Sequence, residues 1–263
     1  MSESDAETAW AEVKRELDEW RAAGQRARLF LRDDDAVTDT PALQRLLGLI
    51  RRYEAPLLLA AIPAHAEDSL GAAAGSEKLV TCAVHGWAHR DHSPKGEKPA
   101  ELGIHRPIDD VLEELRAGRE KLAGLFGGRV SGLVVPPWNR IDDAVLARIG
   151  EIGFAGASVH GWLTERRPAR MVNVHIDIIH WSGGRVGREI GWLYAELAWN
   201  MKEARRRGFR AVGILTHHLA HDEKAWANLE TLMDRMSQNQ AVWLAADDLL
   251  AEPDEPIPDV GNA

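Results

Sequence analysis

Short apolar runs alternate with helical repeats along most of the chain. The runs fall at Arg28–Arg32, Pro56–Ile62, Lys78–Val84, Gly132–Val135, Phe154–Val159, Val172–Ile179, Ala211–Thr216 and Ala241–Ala245. Each has the length and near-continuous apolar character of a strand buried on both faces. Apolar residues recur at helical spacing near Glu7–Ala23, Thr40–Tyr53, Asp109–Phe126, Asp142–Gly153, Arg188–Arg207 and Asp222–Gln238. Thr40 followed by Pro41 predicts an N-cap and first helical position, and Asp109 precedes an acidic first turn. Such alternation covers a parallel sheet with helices. Seven or eight strands in 263 residues predict an α/β single domain, a distorted (β/α)7-8 barrel of parallel strands. An open doubly wound sheet ranks second, because no Gly-rich phosphate loop follows the first strand. The barrel is expected over 26–251. A helix within 1–25 would pack on it, capping its bottom, and the Pro- and Asp-rich tail 252–263 would be a loose end.

Composition narrows the class of protein. A hydrophobic fraction of 45% with 28% charged residues suits a globular domain with a sizeable core. The net charge of -9 and the lack of a basic stripe argue against nucleic acid or an anionic membrane as partner. No apolar run has the length of a membrane span or a signal core, so the expected compartment is the cytoplasm. Cys82 is the only cysteine, which excludes an internal disulfide, and its apolar setting reads as an inert buried thiol. Ten Trp stand against four Phe and two Tyr. Trp10, Trp20, Trp192 and Trp199 fall on predicted helices and read as packing residues. Trp87, Trp138 and Trp181 lie beside polar clusters at strand ends, where aromatic walls suit sugar rings.

The chemistry gathers where apolar runs stop. The first run is followed by Asp33, Asp34 and Asp35, the third by His85-Gly-Trp-Ala-His89, and the fourth by Pro136-Pro137-Trp138-Asn139. The sixth carries Asp177 and ends at His180-Trp181, and the seventh runs into His217 and His218. In a parallel barrel these C-terminal ends share one face, the face on which active sites are built. Consecutive carboxylates repel, a cost that solvent or a cation relieves. A His-x-x-x-His spacing lets both imidazoles bind one ion. A carboxylate with two imidazoles leaves positions open for water and substrate, and suits Zn²⁺ first, then Co²⁺, Ni²⁺ or Fe²⁺. The polar stretch Arg90–Pro107 reads as a candidate lid.

In order, RDDDA, HGWAH, VPPW, DIIHW and LTH resemble the motifs of the polysaccharide deacetylases, the NodB-like carbohydrate esterases. The resemblance spans roughly residues 28–220 and implies a distorted barrel. It implies a general base at Asp33, metal ligands at Asp34, His85 and His89, and a general acid at His217, with Trp87, Pro137, Trp138, Asn139 and Trp181 binding substrate. It also implies one divalent metal and a small-molecule or oligosaccharide substrate. Three positions depart from the family pattern. Val135 stands at the third-motif Arg, with Arg140 five residues on as a possible substitute; His180 stands at the second Asp of the fourth motif; Asp35 stands at the Gly after the Asp pair. The triple Asp leaves a second register open, with Asp34 as base and Asp35 as ligand. Asp177 also remains a candidate.

The resemblance thus implies a metal-dependent hydrolase removing an acetyl or other N-acyl group from a sugar or related small amide. Two alternatives stay open: hydrolysis of a non-sugar carbon–nitrogen bond, and a catalytically silent binding protein that keeps the fold. The oligomeric state is not legible.

Overall fold

The computed structural model describes residues 3–257. In chain order the elements are α1 (Glu3–Ala22), β1 (Arg28–Ala36), α2 (Pro41–Tyr53), β2 (Leu57–Ala61), α3 (Asp68–Ala74), β3 (Val80–Val84) and α4 (Ile108–Leu125). Then follow β4 (Val130–Val134), α5 (Asp143–Leu146), β5 (Gly156–Ala157), β6 (Arg170–Met171), β7 (Ile176–Asp177), β8 (Ile179–His180) and β9 (Val186–Gly187). The remainder is α6 (Ile190–Arg206), β10 (Val212–Thr216), α7 (Glu223–Gln238), β11 (Val242–Trp243) and α8 (Ala246–Leu250). Thr40 caps α2 as expected, its Oγ1 accepting from the Leu43 amide at 3.0 Å. Such a cap contributes ~1 kcal/mol.

The main sheet is parallel and curls in the order β6-β5-β4-β3-β2-β1-β10-β7, with β11 joining the start of β1. It is a distorted α/β barrel in one domain. The strand ladder is interrupted between β6 and β7, where an isolated parallel bridge joins His160 to Val174. The expected sixth strand breaks into β7 and β8, and β8 leaves the barrel to pair antiparallel with β9. Among the described residues no helix is long and apolar enough to cross a membrane.

Strand alternation sorts side chains into two cores. Leu29, Leu31, Leu57, Leu59, Cys82 and Val84 face the surrounding helices. Phe30, Leu58, Ala60, Ala83, Leu133, Val135 and Leu215 fill the barrel interior. Phe30 occupies so much of that interior that a Cβ on Gly213 would lie 2.5 Å from its ring, which is why a glycine faces it.

Three expectations change here. The N-terminal helix does not close the bottom of the barrel. Trp10, Val13, Leu17 and Trp20 turn one face of α1 onto α6, where Trp10 meets Tyr194 at 5.1 Å and Trp20 Nε1 donates to the Met201 carbonyl. The interior is reached instead by Leu249 of α8. Nor are residues 252–257 loose: Glu252 pairs with Arg28, and Glu255 with the nearly buried Arg207. Arg28 at the start of β1 and Arg207 at the end of α6 thus draw carboxylates from this segment; residues 258–263 lie outside the described residues. Trp199, read as a packing residue, is 57% exposed.

Candidate metal centre

The run Arg32-Asp33-Asp34-Asp35 lies at the C-terminal end of the central strand β1, and alternation separates its members. Arg32 and Asp34 share the inward parity of Phe30, while Asp33 shares the outward parity of Leu31. Asp33 is fully buried and faces away from the barrel mouth. Its carboxylate accepts from Thr216 Oγ1 at 2.6 Å, from the His218 amide at 2.9 Å and from His218 Nδ1 at 2.5 Å. Burial alone would raise the Asp33 pKa, but the His218 imidazole and these hydrogen bonds hold it below the usual carboxylate range. Burial likewise opposes a charged His218, yet Asp33 raises its pKa above the ordinary value.

Asp35 breaks the alternation. Its backbone is left-handed at φ 71° and the pairing of β1 with β2 slips between Asp33 and Ala36, so the strand bulges there. A non-glycine residue in that region costs ~1–2 kcal/mol. The bulge carries the Asp35 carboxylate to the two imidazoles: its Oδ1 lies 3.2 Å from His85 Nε2 and 3.5 Å from His89 Nε2. One ligand atom from each of Asp35, His85 and His89 falls within 4.8 Å of the others. The structure therefore brings Asp35, not Asp34, to the histidines. Burial opposes its ionised form, but the nearby His85, His217 and His89 imidazoles hold its pKa far below normal.

The histidines are pre-set for this arrangement. His85 follows β3 on the inward side, is 2% exposed, and donates Nδ1–H to the Val135 carbonyl at 2.9 Å. That bond leaves the Nε2 lone pair free toward Asp35. Burial lowers the His85 pKa, but Asp34 and Asp35 outweigh it and raise the value overall. His89 stands in a left-handed turn at φ 55°, with its pKa lowered by burial and by His85.

Glu101 holds the loop between them. It is 1% exposed and accepts from the amides of Trp87, Ala88 and His89 at 3.2, 2.8 and 3.2 Å. Gly86 is required beneath it, since a Cβ there would lie 1.8 Å from Glu101 Oε2 and its φ is +63°. The stretch Arg90–Pro107 is thus a clamp rather than a lid, with Leu102 buried and bridged to Ile141.

Asp34 is 2% exposed and is gripped by Arg32, whose Nε and Nη2 donate to its two oxygens at 2.9 and 2.8 Å. Arg140 does not stand in for the absent family arginine; it donates to the Pro99 carbonyl at 2.8 Å. Val135 itself lies in the interior cluster and offers only its carbonyl. His217, inward on the parity of Leu215, places Nε2 4.0 Å from Asp34 Oδ2, and its buried Nδ1 has no hydrogen-bond partner.

Two tryptophans flank these groups. Trp138 sits 4.3 Å from the His89 ring, and Trp181, 39% exposed, stands edge-on to His217 at 4.7 Å. Asp177 fixes the second wall by accepting Trp181 Nε1–H at 2.8 Å. His180 points elsewhere; it is exposed on the β8–β9 hairpin and folds against Gly183. Pro137 is buried in the turn that carries Trp138, and the Trp87 backbone is held by Glu101 and Ala64.

A cation suits this group on the structure's own terms. Asp35 Oδ1 is buried without a hydrogen-bond partner although two imidazole nitrogens face it. An unsatisfied buried carboxylate oxygen is costly, and a divalent ion shared with two neutral imidazoles removes that cost.

Neither a protein-family model nor a curated protein sequence matches the chain. Solved structures do. A family 4 carbohydrate esterase from Streptomyces lividans, in complex with acetate, superposes with a TM-score of 0.50 at 16% identity over 81% of this chain and 87% of its own. The peptidoglycan N-acetylglucosamine deacetylase Bc1960 gives 0.59 at 16% identity, over 88% of this chain and 91% of its own. BA3943, a pseudoenzyme of the same esterase family from Bacillus anthracis, gives 0.57 at 11% identity, over 86% and 66%. At these identities the likeness is one of fold: the chain has the fold of the family 4 carbohydrate esterases, active and inactive members alike.

Proposed function

We propose that this protein is a metal-dependent deacylase that removes an acetyl group from an N-acetylated sugar. The observation that carries the reading is the unpartnered Asp35 Oδ1 between His85 Nε2 and His89 Nε2, at the mouth of a deacetylase-type barrel. Asp35, His85 and His89 would hold one divalent cation, with Zn²⁺ favoured by the donor set and Co²⁺, Ni²⁺ or Fe²⁺ as substitutes. When bound there, such an ion supplies Lewis acidity, polarising an amide carbonyl and making water more acidic.

The chain's own residues divide the remaining work. Asp34, kept at one orientation by Arg32, takes the proton from the attacking water. His217, across from it, delivers a proton to the leaving amine nitrogen, so that water and amide become carboxylate and amine. Trp138 and Trp181 stand on two sides of the reacting bond and offer flat faces to a sugar ring. This is the second of the two registers of the aspartate triplet, with Asp33 kept as a structural carboxylate.

Metal analysis of the protein beside Asp35→Ala and His85→Ala, with acetate release measured on N-acetylated chito-oligosaccharides, tests the reading. One zinc per wild-type chain, its loss in both variants and zinc-dependent acetate release are the expected results. Full metal content in both variants would remove the proposed centre. Bound metal with no acetate released from any acetylated sugar would remove the proposed reaction.

A further inference from the structure

Arg32 is fully buried, and each of its guanidinium nitrogens is engaged. Nε and Nη2 grip Asp34, Nη1 donates to both the carbonyl and Oγ of Ser158 at 2.9 Å, and Nη2 also donates to Asn139 Oδ1 at 2.7 Å. A guanidinium has five N–H donors in a fixed fork, so this set leaves it no freedom to turn. Ser158 comes from the end of β5 and Asn139 from the turn after β4, so Arg32 ties three strand ends together at the barrel mouth.

The Asn139 contact reaches further. Trp138 and Asn139 are consecutive left-handed residues, at φ 53° and 57°, in a turn with no glycine. Asn139 tolerates that backbone, but Trp138 does not adopt it readily, so contacts from outside the turn help to hold it. The Arg32–Asn139 bond ties the turn to the buried Arg32, beside the Arg140 bond to the Pro99 carbonyl, and the turn lays Trp138 against His89.

We propose that Arg32 is a positioning residue for two parts of the site at once: the carboxylate of Asp34 and, through Asn139, the Trp138 wall. The first half rests on Asp34 being the base; the second stands on geometry alone. A substrate ring stacking on Trp138 and a proton leaving water toward Asp34 would therefore be registered to one another by a single buried side chain. Specificity and proton transfer are linked here.

Two variants separate the halves. Asn139→Gly tolerates the left-handed backbone and deletes the side-chain tie, while Arg32→Lys keeps the charge and loses the fork. Zinc-loaded protein labelled with 5-fluorotryptophan reports the wall by fluorine NMR, the Trp138 resonance being assigned from Trp138→Phe. The Trp138 resonance should shift or broaden in both variants, with one zinc retained in each. In Asn139→Gly, KM for an acetylated sugar should rise about tenfold with kcat nearly unchanged. In Arg32→Lys, kcat should fall about 100-fold, the size of effect a misplaced reacting group produces. An unmoved Trp138 resonance in both variants, or equal effects on kcat and KM in Asn139→Gly, would overturn the proposal. If the wild-type zinc protein releases no acetate, the deacylase reading fails, and the fluorine spectrum still decides whether Arg32 holds the wall.

Discussion

Asp33 and His218 form a buried ion pair on the outward side of β1, with Nδ1 2.5 Å from Oδ1, and that pairing removes Asp33 from the barrel mouth. A carboxylate one residue along the strand from the candidate base therefore belongs to the scaffold. Asp33→Asn should destabilise the fold by roughly 3–5 kcal/mol, the usual cost of breaking a buried pair. Zinc content should remain at the wild-type level. Urea denaturation beside metal analysis checks both, and loss of metal without loss of stability would return Asp33 to the centre.

The same pair sets a pH signature for the metal-free protein. His218 is raised above its ordinary 6.5, so its stabilisation is fully present below that value and fades as pH rises through the folded-state pKa. Asp33 is lowered below its ordinary 3.8, so its stabilisation is present above that value and is lost as pH falls through the folded-state pKa. Unfolding free energy should decline on both sides of a window between those ordinary values. In Asp33→Asn both declines should flatten.

At the centre, Asp35→Ala, His85→Ala and His89→Ala should each lower zinc affinity, whereas Asp34→Asn should keep zinc and lose about 100-fold or more in kcat. Because Asp34 and Asp35 raise the His85 pKa above its ordinary 6.5, a proton competes with the metal, and zinc affinity should fall as pH drops through that raised pKa. Isothermal titration over pH reads this directly, and a flat profile would count against His85 as a ligand.

Glu101 makes no contact with the proposed ion, yet it satisfies the three amides that shape the His89 turn. Glu101→Ala should weaken zinc binding by about 10–100-fold through disorder of that turn. Gly86→Ala should do the same by forcing Glu101 aside. Unchanged affinity in both would mean that His89 is positioned by other means.

Trp181 stands against His217 and is held by Asp177. Trp181→Ala should raise KM for a sugar substrate several-fold while zinc binding is kept, since loss of one aromatic wall is worth about 1 kcal/mol or more. Steady-state kinetics on acetylated oligosaccharides measures it.

Much of this was legible in the sequence because parallel strands advertise themselves as apolar runs and their ends carry the polar groups. Asp35 shows where that reading stops. Strand periodicity assigns faces only while the strand is regular, and the bulge at Asp35 is fixed by its neighbours rather than by local sequence. Arg32 was hidden for a related reason: a cation after an apolar run reads as the edge of the strand, whereas here the strand continues to Ala36 and the cation is enclosed. Glu101, in a stretch rich in Pro, Lys and Gly, gave no signal at all. The two-residue strands β6 and β9 and the short helices α3 and α8 are too brief for periodicity to register.

The strand that carries the aspartates also has an awkward history. β1 lies between β2 and β10, and β11 pairs with its first residues, so partners on one side come from some 180 or more positions downstream. While a growing chain is being made, the Leu29–Leu31 segment must wait with one edge open until Val212–Thr216 arrives. Contacts so distant in sequence slow folding, and an apolar edge left unpaired invites other chains to add to it. Placing the acidic triplet at the centre of the sheet thus leaves β1 half-paired until residues 212–216 have been made.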